Sequence, residues 1–268
     1  MSAHERFKKG ELAEAIAAQN EFVKAHPLDA DARFELFVFL CFAGDLERAE
    51  KQLDVLGSRD QLLERGSIVF RNLLASEFER RRVFEGKGRA VTPPQAPASL
   101  AERQEALRLL CAGDAAGAQG RIERTVAQSA DVSGTIDGES FAGLCDYDDR
   151  LGGVLEVFAG GRYLWLPLEH VRTLELSAPE TALDTLWIPA RLSDRDGETA
   201  SVHLPALYAG SHTDASERIR LGRETSWEEA GALCVGRGQR VWISASGETL
   251  REHPALSVRR IEITAGGA

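Results

Sequence analysis

A phrase that returns after 34 residues constrains the fold of this chain more than any other feature. Gly10-Glu11-Leu12-x-x-Ala15 reappears as Gly44-Asp45-Leu46-x-x-Ala49, in register at every position. A period of 34 is that of tetratricopeptide (TPR) repeats, each a pair of antiparallel helices. One such pair cannot bury its apolar face alone, so units stack and leave a concave groove. The glycines fall where a helix ends in a left-handed residue, and Ala15 and Ala49 are small enough for close helix crossing. Pro27 stops the apolar run Ile16 to Val23, and Asp29 or Asp31 can cap the next helix, Ala32 to Phe42. A third copy, Gly113-Asp114-Ala115-x-x-Ala118, lies 69 residues after Gly44, two periods plus one. Between them runs a helical stretch from about Gln61 to Glu85, with Leu62, Ile68, Val69, Leu73, Leu74 and Phe78 near helical spacing.

After this helical part the pattern changes. Thr92-Pro93-Pro94-Gln95-Ala96-Pro97 reads as a rigid connector. Ala98 to Gln128 returns to helical spacing, with Ser99 and Glu102 placed for a capping box. Beyond Ser133-Gly134 strand signals take over. Gly160-Gly161 sits between Val154–Phe158 and Arg162–Leu166, and Asp194 to Gly197 between Thr185–Leu192 and Thr199–Leu204, two hairpin patterns. Val171–Leu176, Ala232–Val235, Arg240–Ser244 and Ser257–Thr264 read as further strands, with a helical turn expected around Trp227 to Gly231. Ala265 to Ala268 are expected to fray. The fold class is therefore α+β: a TPR-like helical superhelix over residues 1–130, then a β-rich α+β domain over 131–268.

The charge is uneven. Residues 1–130 carry 19 of the 32 basic and 20 of the 42 acidic side chains, leaving 13 against 22 in residues 131–268. An acidic second half argues against nucleic acid as a partner, since phosphate binding needs clustered Lys and Arg. The basic run Arg80-Arg81-Arg82 follows Glu77 and Glu79 and reads as a solvated helix end. No apolar stretch reaches membrane-spanning length, and the charged N-terminus lacks a secretory signal. Four cysteines at 41, 111, 145 and 234 have no paired spacing. Cys41 and Cys111 fall on apolar helix faces and are expected as buried thiols, which suits a cytoplasmic protein.

Candidate chemistry is sparse. Asp146, Asp148 and Asp149 offer three carboxylates in four residues to a divalent metal, but the glycine and glutamate of a calcium loop do not follow. An acidic turn that binds a partner, or pairs with Arg150, is the competing reading. The histidines have no metal-ligand spacing, Gly210-Ser211-His212 lacks the GxSxG frame, and Gly236-Arg237-Gly238-Gln239 is too short for a phosphate loop. Tyr208, near the end of the apolar loop from Leu204 to Ser211, and Arg223 with Trp227, a guanidinium near a large aromatic, suit either a structural corner or a binding hot spot. In the helical part, repeat register turns Asp31, Phe34, Val38 and Cys41 inward. An apolar lining there suits an amphipathic helix; the alternative is that these residues meet the helix from Gln61 to Glu85 as core.

Several phrases occur together in an order that resembles the ImpE family, the TagJ-type accessory proteins of type VI secretion systems. They are Asp148-Asp149-Arg150-Leu151-Gly152-x-Val154-Leu155-Glu156-Val157, Gly161-Arg162-Tyr163-x-Trp165-x-Pro167, Leu204-Pro205-Ala206-Leu207-Tyr208-x-Gly210-Ser211, Leu221-Gly222-Arg223-x-Thr225-x-Trp227 and Gly236-x-Gly238-Gln239-Arg240. Ala209 stands where the resemblance leads one to expect proline. The resemblance implies a non-enzymatic role without catalytic residues, metal or cofactor. It also implies two partners, an N-terminal helix of the small contractile-sheath subunit and the ClpV-type AAA+ ATPase. The alternatives are a metal-dependent hydrolase using Asp146, Asp148 and Asp149, or a repeat scaffold with a partner outside secretion.

Overall fold

The computed structural model describes residues 1–57, 61–128, 131–246 and 249–266. Seven helices come first: α1 (Ala3–Lys9), α2 (Leu12–Ala25), α3 (Ala30–Ala43), α4 (Leu46–Gly57), α5 (Gln61–Phe84), α6 (Ala98–Cys111) and α7 (Ala115–Gln128). Ser2 and Glu5 close a reciprocal capping box at the start of α1. Gly10 and Gly44 end α1 and α3 at φ 94° and 74°. In each case the glycine amide donates three residues back and the next amide five back: Gly10 to Phe7 and Glu11 to Arg6, Gly44 to Cys41 and Asp45 to Leu40. The third phrase makes the same closure after α6, with Gly113 donating to Leu110 and Asp114 to Leu109. This doubly bonded left-handed end satisfies carbonyls that the helix leaves open. Ala15, Ala49 and Ala118 are completely buried.

Asp29, rather than Asp31, caps α3 by accepting from the Ala32 amide at 2.9 Å. Leu36 to Phe42 are all buried, so α3 is apolar on every side and sits inside the helical stack. The inner part of α5 follows the expected spacing through Leu73 and Leu74, whereas Ile68 and Val69 are exposed and the Leu62 side chain lies outside the described residues. Two local expectations fail. Pro97 precedes α6 with no side-chain cap, because the helix begins at Ala98 and places Ser99 inside its first turn; Glu102 accepts from Arg121 at 2.6 Å instead. Cys111 is exposed, its thiol donating to the Phe84 carbonyl at 3.1 Å.

Twelve strands, one short α-helix and three single-turn 3-10 helices follow among the described residues; the strands and the α-helix are β1 (Val132–Ile136), β2 (Glu139–Asp146), β3 (Val154–Ala159), β4 (Arg162–Pro167), β5 (Val171–Leu176), β6 (Trp187–Asp194), β7 (Thr199–Pro205), α8 (Glu217–Arg220), β8 (Thr225–Ala230), β9 (Leu233–Gly238), β10 (Val241–Ser246), β11 (Thr249–Pro254) and β12 (Arg260–Gly266). Ten form one antiparallel sheet ordered β11-β10-β2-β1-β12-β5-β6-β7-β3-β4, and β8 pairs with β9 separately. Both hairpins form in the expected places, with Ala159 opposite Arg162 and Ser193 opposite Thr199. Trp227 lies in strand β8, not in a helical turn, because β8 pairs along its length with β9. Ala265 and Gly266 are still paired in β12, to Ser133 and Val132.

The helices cover one end of this sheet. At its β4 edge the Val91 amide donates to Tyr163 at 3.0 Å and the Trp165 amide donates to Val91 at 2.8 Å. The proline-rich connector therefore starts out bonded to the sheet edge, which closes that edge to further pairing. One apolar cluster runs from Leu12, Phe39 and Leu46 in the helices to Val154, Phe158, Trp165 and Trp187 in the strands. A second fills the sheet interior around Leu174, Ile188, Val202 and Ile261.

Candidate interaction site

An open concavity lies at the N-terminal end of the helical stack. A groove of about 640 Å³ is lined by the start of α1, by Ala18, Gln19 and Phe22 of α2, and by Asp31, Ala32 and Glu35 of α3. Phe22 is 45 % exposed, an unusual position for a large apolar ring, and it stacks on His26 at 4.3 Å between centroids. Asp31 is exposed at the rim. Phe34, Val38 and Cys41 do not line this groove. Phe34 meets Phe70 of α5 at 5.3 Å and Phe37 at 5.5 Å, while Val38 and Cys41 are buried. Burial pushes the Cys41 thiol well above the usual range. Glu35 is bonded to His4 at 2.9 Å, so the exposed Phe22 ring and the Asp31 carboxylate are the features open to an amphipathic segment that carries a basic residue.

Where helices and sheet meet, a second constellation is buried. Glu156, in the middle of apolar β3, has no exposed side-chain surface. Its carboxylate takes Arg80 of α5 at 2.7 and 3.2 Å, Arg240 and the Tyr163 hydroxyl, to which the Trp165 indole donates in turn. Arg240 also reaches Asp146 at 3.0 Å, and Asp146 accepts from the Tyr208 hydroxyl at 3.0 Å and the Asp148 amide at 2.9 Å. Asp148 holds Arg150 in a forked contact with bonds of 2.9 and 2.5 Å, and takes the Gly236 amide at 3.0 Å. Asp149 accepts from the Cys234 amide at 2.6 Å. Arg103 of α6 donates to the Asp149 carbonyl at 2.5 Å and to Thr125 at 2.7 Å.

Burial sets the electrostatics of this centre. It pushes Asp146 up to about 6 against the pull of Arg240. It lowers Arg240 and Arg103 to about 10 while neighbouring carboxylates oppose it, and it raises both Tyr163 and Tyr208. A buried charge left alone is costly, so the value of this lattice lies in leaving none unpaired. Asp146 and Asp148 are thus closed to a partner and already coordinated by Arg and amide donors. Among the described residues no group of three or more His, Cys, Asp and Glu is placed to hold a metal ion. Arg240 and Arg150 engage Asp146 and Asp148, two of the three carboxylates that a metal-dependent hydrolase would use.

The remaining sequence candidates separate. Arg223 leaves Trp227 and caps α1, donating to the Lys8 and Phe7 carbonyls at 2.9 Å each. Glu217, six residues earlier, accepts from the Leu12 and Ala13 amides at 3.0 and 2.9 Å and caps α2. A cation at a helix C-terminus and an anion at the next N-terminus both match the helix dipoles. Trp227 is 36 % exposed and packs on Tyr147 at 4.3 Å and Tyr208 at 5.6 Å. Tyr208, Asp146, Asp148, Asp149 and Trp227 therefore share one neighbourhood, Arg223 sits at the α1–α2 turn, and Asp31 is at the groove. Arg80, expected at a solvated helix end, is instead buried at the seam, and of its run only Arg82 is exposed. Glu156 and Arg240 were not candidates in the sequence; a glutamate inside Val154-Leu155-Glu156-Val157-Phe158 was the one local sign that a buried partner existed.

Fold and geometry together define an α+β scaffold with an accessible helical groove and a sealed ionic seam. Comparison with known proteins gives its family. Residues 138–262 match the ImpE protein family. The chain is 35 % identical to the type VI secretion system accessory component TagJ of Pseudomonas aeruginosa over 249 residues, 93 % of this chain and 88 % of that protein. The chain belongs to the ImpE/TagJ family of type VI secretion accessory proteins. The crystal structure of protein VPA1032 from Vibrio parahaemolyticus has the same fold, with a TM-score of 0.90 at 22 % identity over 98 % of this chain and 97 % of that one. No helix among the described residues is long and apolar enough to cross a membrane.

Proposed function

We propose that this protein is a cytoplasmic, non-enzymatic adaptor of a type VI secretion system. Its TPR-like helical part receives the N-terminal helix of the small contractile-sheath subunit, and the bound adaptor links the sheath to its ClpV-type AAA+ ATPase. The observation that carries this reading is identity to an accessory component over nearly the whole chain. The groove between α1, α2 and α3 supports it with an exposed phenyl ring and a carboxylate rim. In this reading Asp31 contacts the incoming helix, while Phe34, Val38 and Cys41 brace α3 from behind. Arg223 fixes the α1–α2 turn that forms one wall, and Asp146, Asp148 and Tyr208 hold the seam beneath it. Asp149 and Trp227 belong to a second face, available to the ATPase.

Calorimetric titration with the helix peptide of the cognate sheath subunit tests the proposal. The expected result is saturable binding in the micromolar range that weakens with salt, as a rim of exposed charges requires. A flat trace at high micromolar peptide, with the full-length sheath subunit equally silent, contradicts direct sheath contact.

A further inference from the structure

A cavity of about 30 Å³ lies at the junction of α3, α5, α8 and the loop through residues 207–212. That is space for the centres of one or two water-sized spheres and too little for a side chain or a phosphate group. Its lining is rich in N–H donors that find no acceptor. The indole Nε1 of Trp187, a residue only 2 % exposed, has no hydrogen-bond partner, nor have the buried Nε atoms of Arg81 and Arg220. Arg80 lines the cavity too. One carboxylate faces these groups: Glu77, 3.6 Å from Arg80 and 3.5 Å from Arg81 Nε, the latter too poorly placed to count as a hydrogen bond. Arg220 touches Glu217 only through another nitrogen, at 3.8 Å. Three guanidinium groups and one acid line this small buried space; Arg80 is already paired with Glu156 outside the lining, so the donors left without an acceptor are Trp187 Nε1 and the Nε atoms of Arg81 and Arg220, each costly unless something accepts from it.

The surroundings of His212 are consistent with this. His212 lines the same cavity. Burial, then Arg81, Arg80 and Arg237, push its imidazole down to about 4, although Glu77 opposes them. The side chain is held neutral first by its burial and then by the arginines that face it. Water can accept one or two of these donors but leaves the arginines' potential in place, whereas an anion satisfies both. We propose that this cavity binds one small monovalent inorganic anion of halide size, held by the N–H groups of Trp187, Arg81 and Arg220 with His212 at its edge. The bound ion joins α5, α8 and the start of β6 in one contact. It stabilises the seam between helices and sheet whether or not the groove takes a sheath helix.

Bromide is the probe, because its anomalous scattering separates it from water. Crystals grown in bromide should show an anomalous peak within about 3.5 Å of Trp187 Nε1 and Arg81 Nε, the usual reach of such bonds. In solution, replacing a bulky organic anion by bromide or chloride at fixed ionic strength should raise the melting temperature by a few degrees, as ligand linkage requires. The Trp187→Phe variant removes the indole N–H while keeping an aromatic ring, and should lose most of that halide dependence, whatever its own melting temperature. Halide should also raise the His212 pKa, read by NMR, by roughly one unit, the size expected for a nearby opposite charge. A cavity filled only by water at saturating bromide, or a melting temperature and His212 titration indifferent to the anion, overturns the proposal.

Discussion

The helical stack and the seam beneath it are equally well buried, and they are specified in opposite ways. In α3 the burial is apolar from Leu36 to Phe42, with Phe7 stacked on Phe39 at 4.7 Å. Substituting one of these residues costs contacts and leaves a cavity, but leaves no charge behind. At the seam Arg80, Glu156, Arg240 and Asp146 are as deeply buried, and each depends on partners 76 to 94 residues away in sequence. Removing one member strands the others in low dielectric. The stack is a matter of volume, the seam a matter of pairing, so the seam discriminates more sharply between one arrangement of the two halves and any other.

That contrast can be broken by substitution, and the largest effect is expected at Glu156. Glu156→Leu removes the carboxylate that Arg80 and Arg240 share, leaving Arg80 with Glu77 at 3.6 Å and Arg240 with Asp146 at 3.0 Å; about 3–5 kcal/mol of stability should be lost in urea denaturation. A double replacement of Glu156 and Arg80 by apolar residues, which leaves Arg240 on Asp146, should recover much of the loss. If the single and double variants are equally unstable, the seam acts by shape and not by pairing. Leu40→Ala in the stack should cost about 2–5 kcal/mol with no partner substitution able to rescue it. Glu217→Ala, which uncaps α2, should cost about 1 kcal/mol. Arg223→Ala should cost about 0.3–1 kcal/mol, since it is exposed and acts on the α1 dipole. Both losses should show as faster amide exchange at the α1–α2 turn.

The pH response divides along the same line. His212 is held down to about 4 from 6.5, so the unfolded chain takes up a proton first as pH falls. Its contribution to stability is full above about 6.5 and lost between about 6.5 and 4. Asp146 is pushed up to about 6 from 3.8, so the folded chain keeps a proton that the unfolded chain has released. Its contribution is largest below about 3.8 and falls as pH rises towards 6. The two oppose each other between pH 4 and 6. The stability difference between wild type and His212→Asn should therefore grow with rising pH over that window, and the difference between wild type and Asp146→Asn should shrink. Urea midpoints measured at half-unit intervals decide both signs.

What was legible in the sequence follows the same division. The turn glycines, the closely packed alanines and the Gly160-Gly161 hairpin are local patterns, and the chain folds as they predict because neighbours within a few residues decide the outcome. The third glycine phrase makes the same helix closure despite its extra residue of spacing, because the motif needs only the preceding turn. Arg80 was misread because Glu77 and Glu79 beside it mimic a solvated helix face; its main partner lies in β3, and no local spacing encodes that. Glu228 and Glu229 disguised β8 as a helix, a propensity that pairing with β9 overrides. In the candidate site Asp31 was legible from repeat register, whereas Phe22 was not, because exposure of an apolar ring is a property of the assembled stack. The pairing of the acidic turn with Arg150 was legible, since Asp148, which holds Arg150, is its near neighbour in sequence; the pairing of Asp146 with Arg240 was not, because the partner lies 94 residues away.

The central claim is that the sheath helix docks on the helical end and leaves the seam and the β8–β9 face alone. Hydrogen–deuterium exchange of the whole protein, with and without the cognate sheath-helix peptide, tests it most directly. Protection concentrated in residues 1–35, abolished by Phe22→Glu with Asp31→Lys and untouched by Trp227→Ala, is the predicted result. Protection confined to residues 225–238, or its loss in Trp227→Ala alone, would contradict the account and move the helix to the β face.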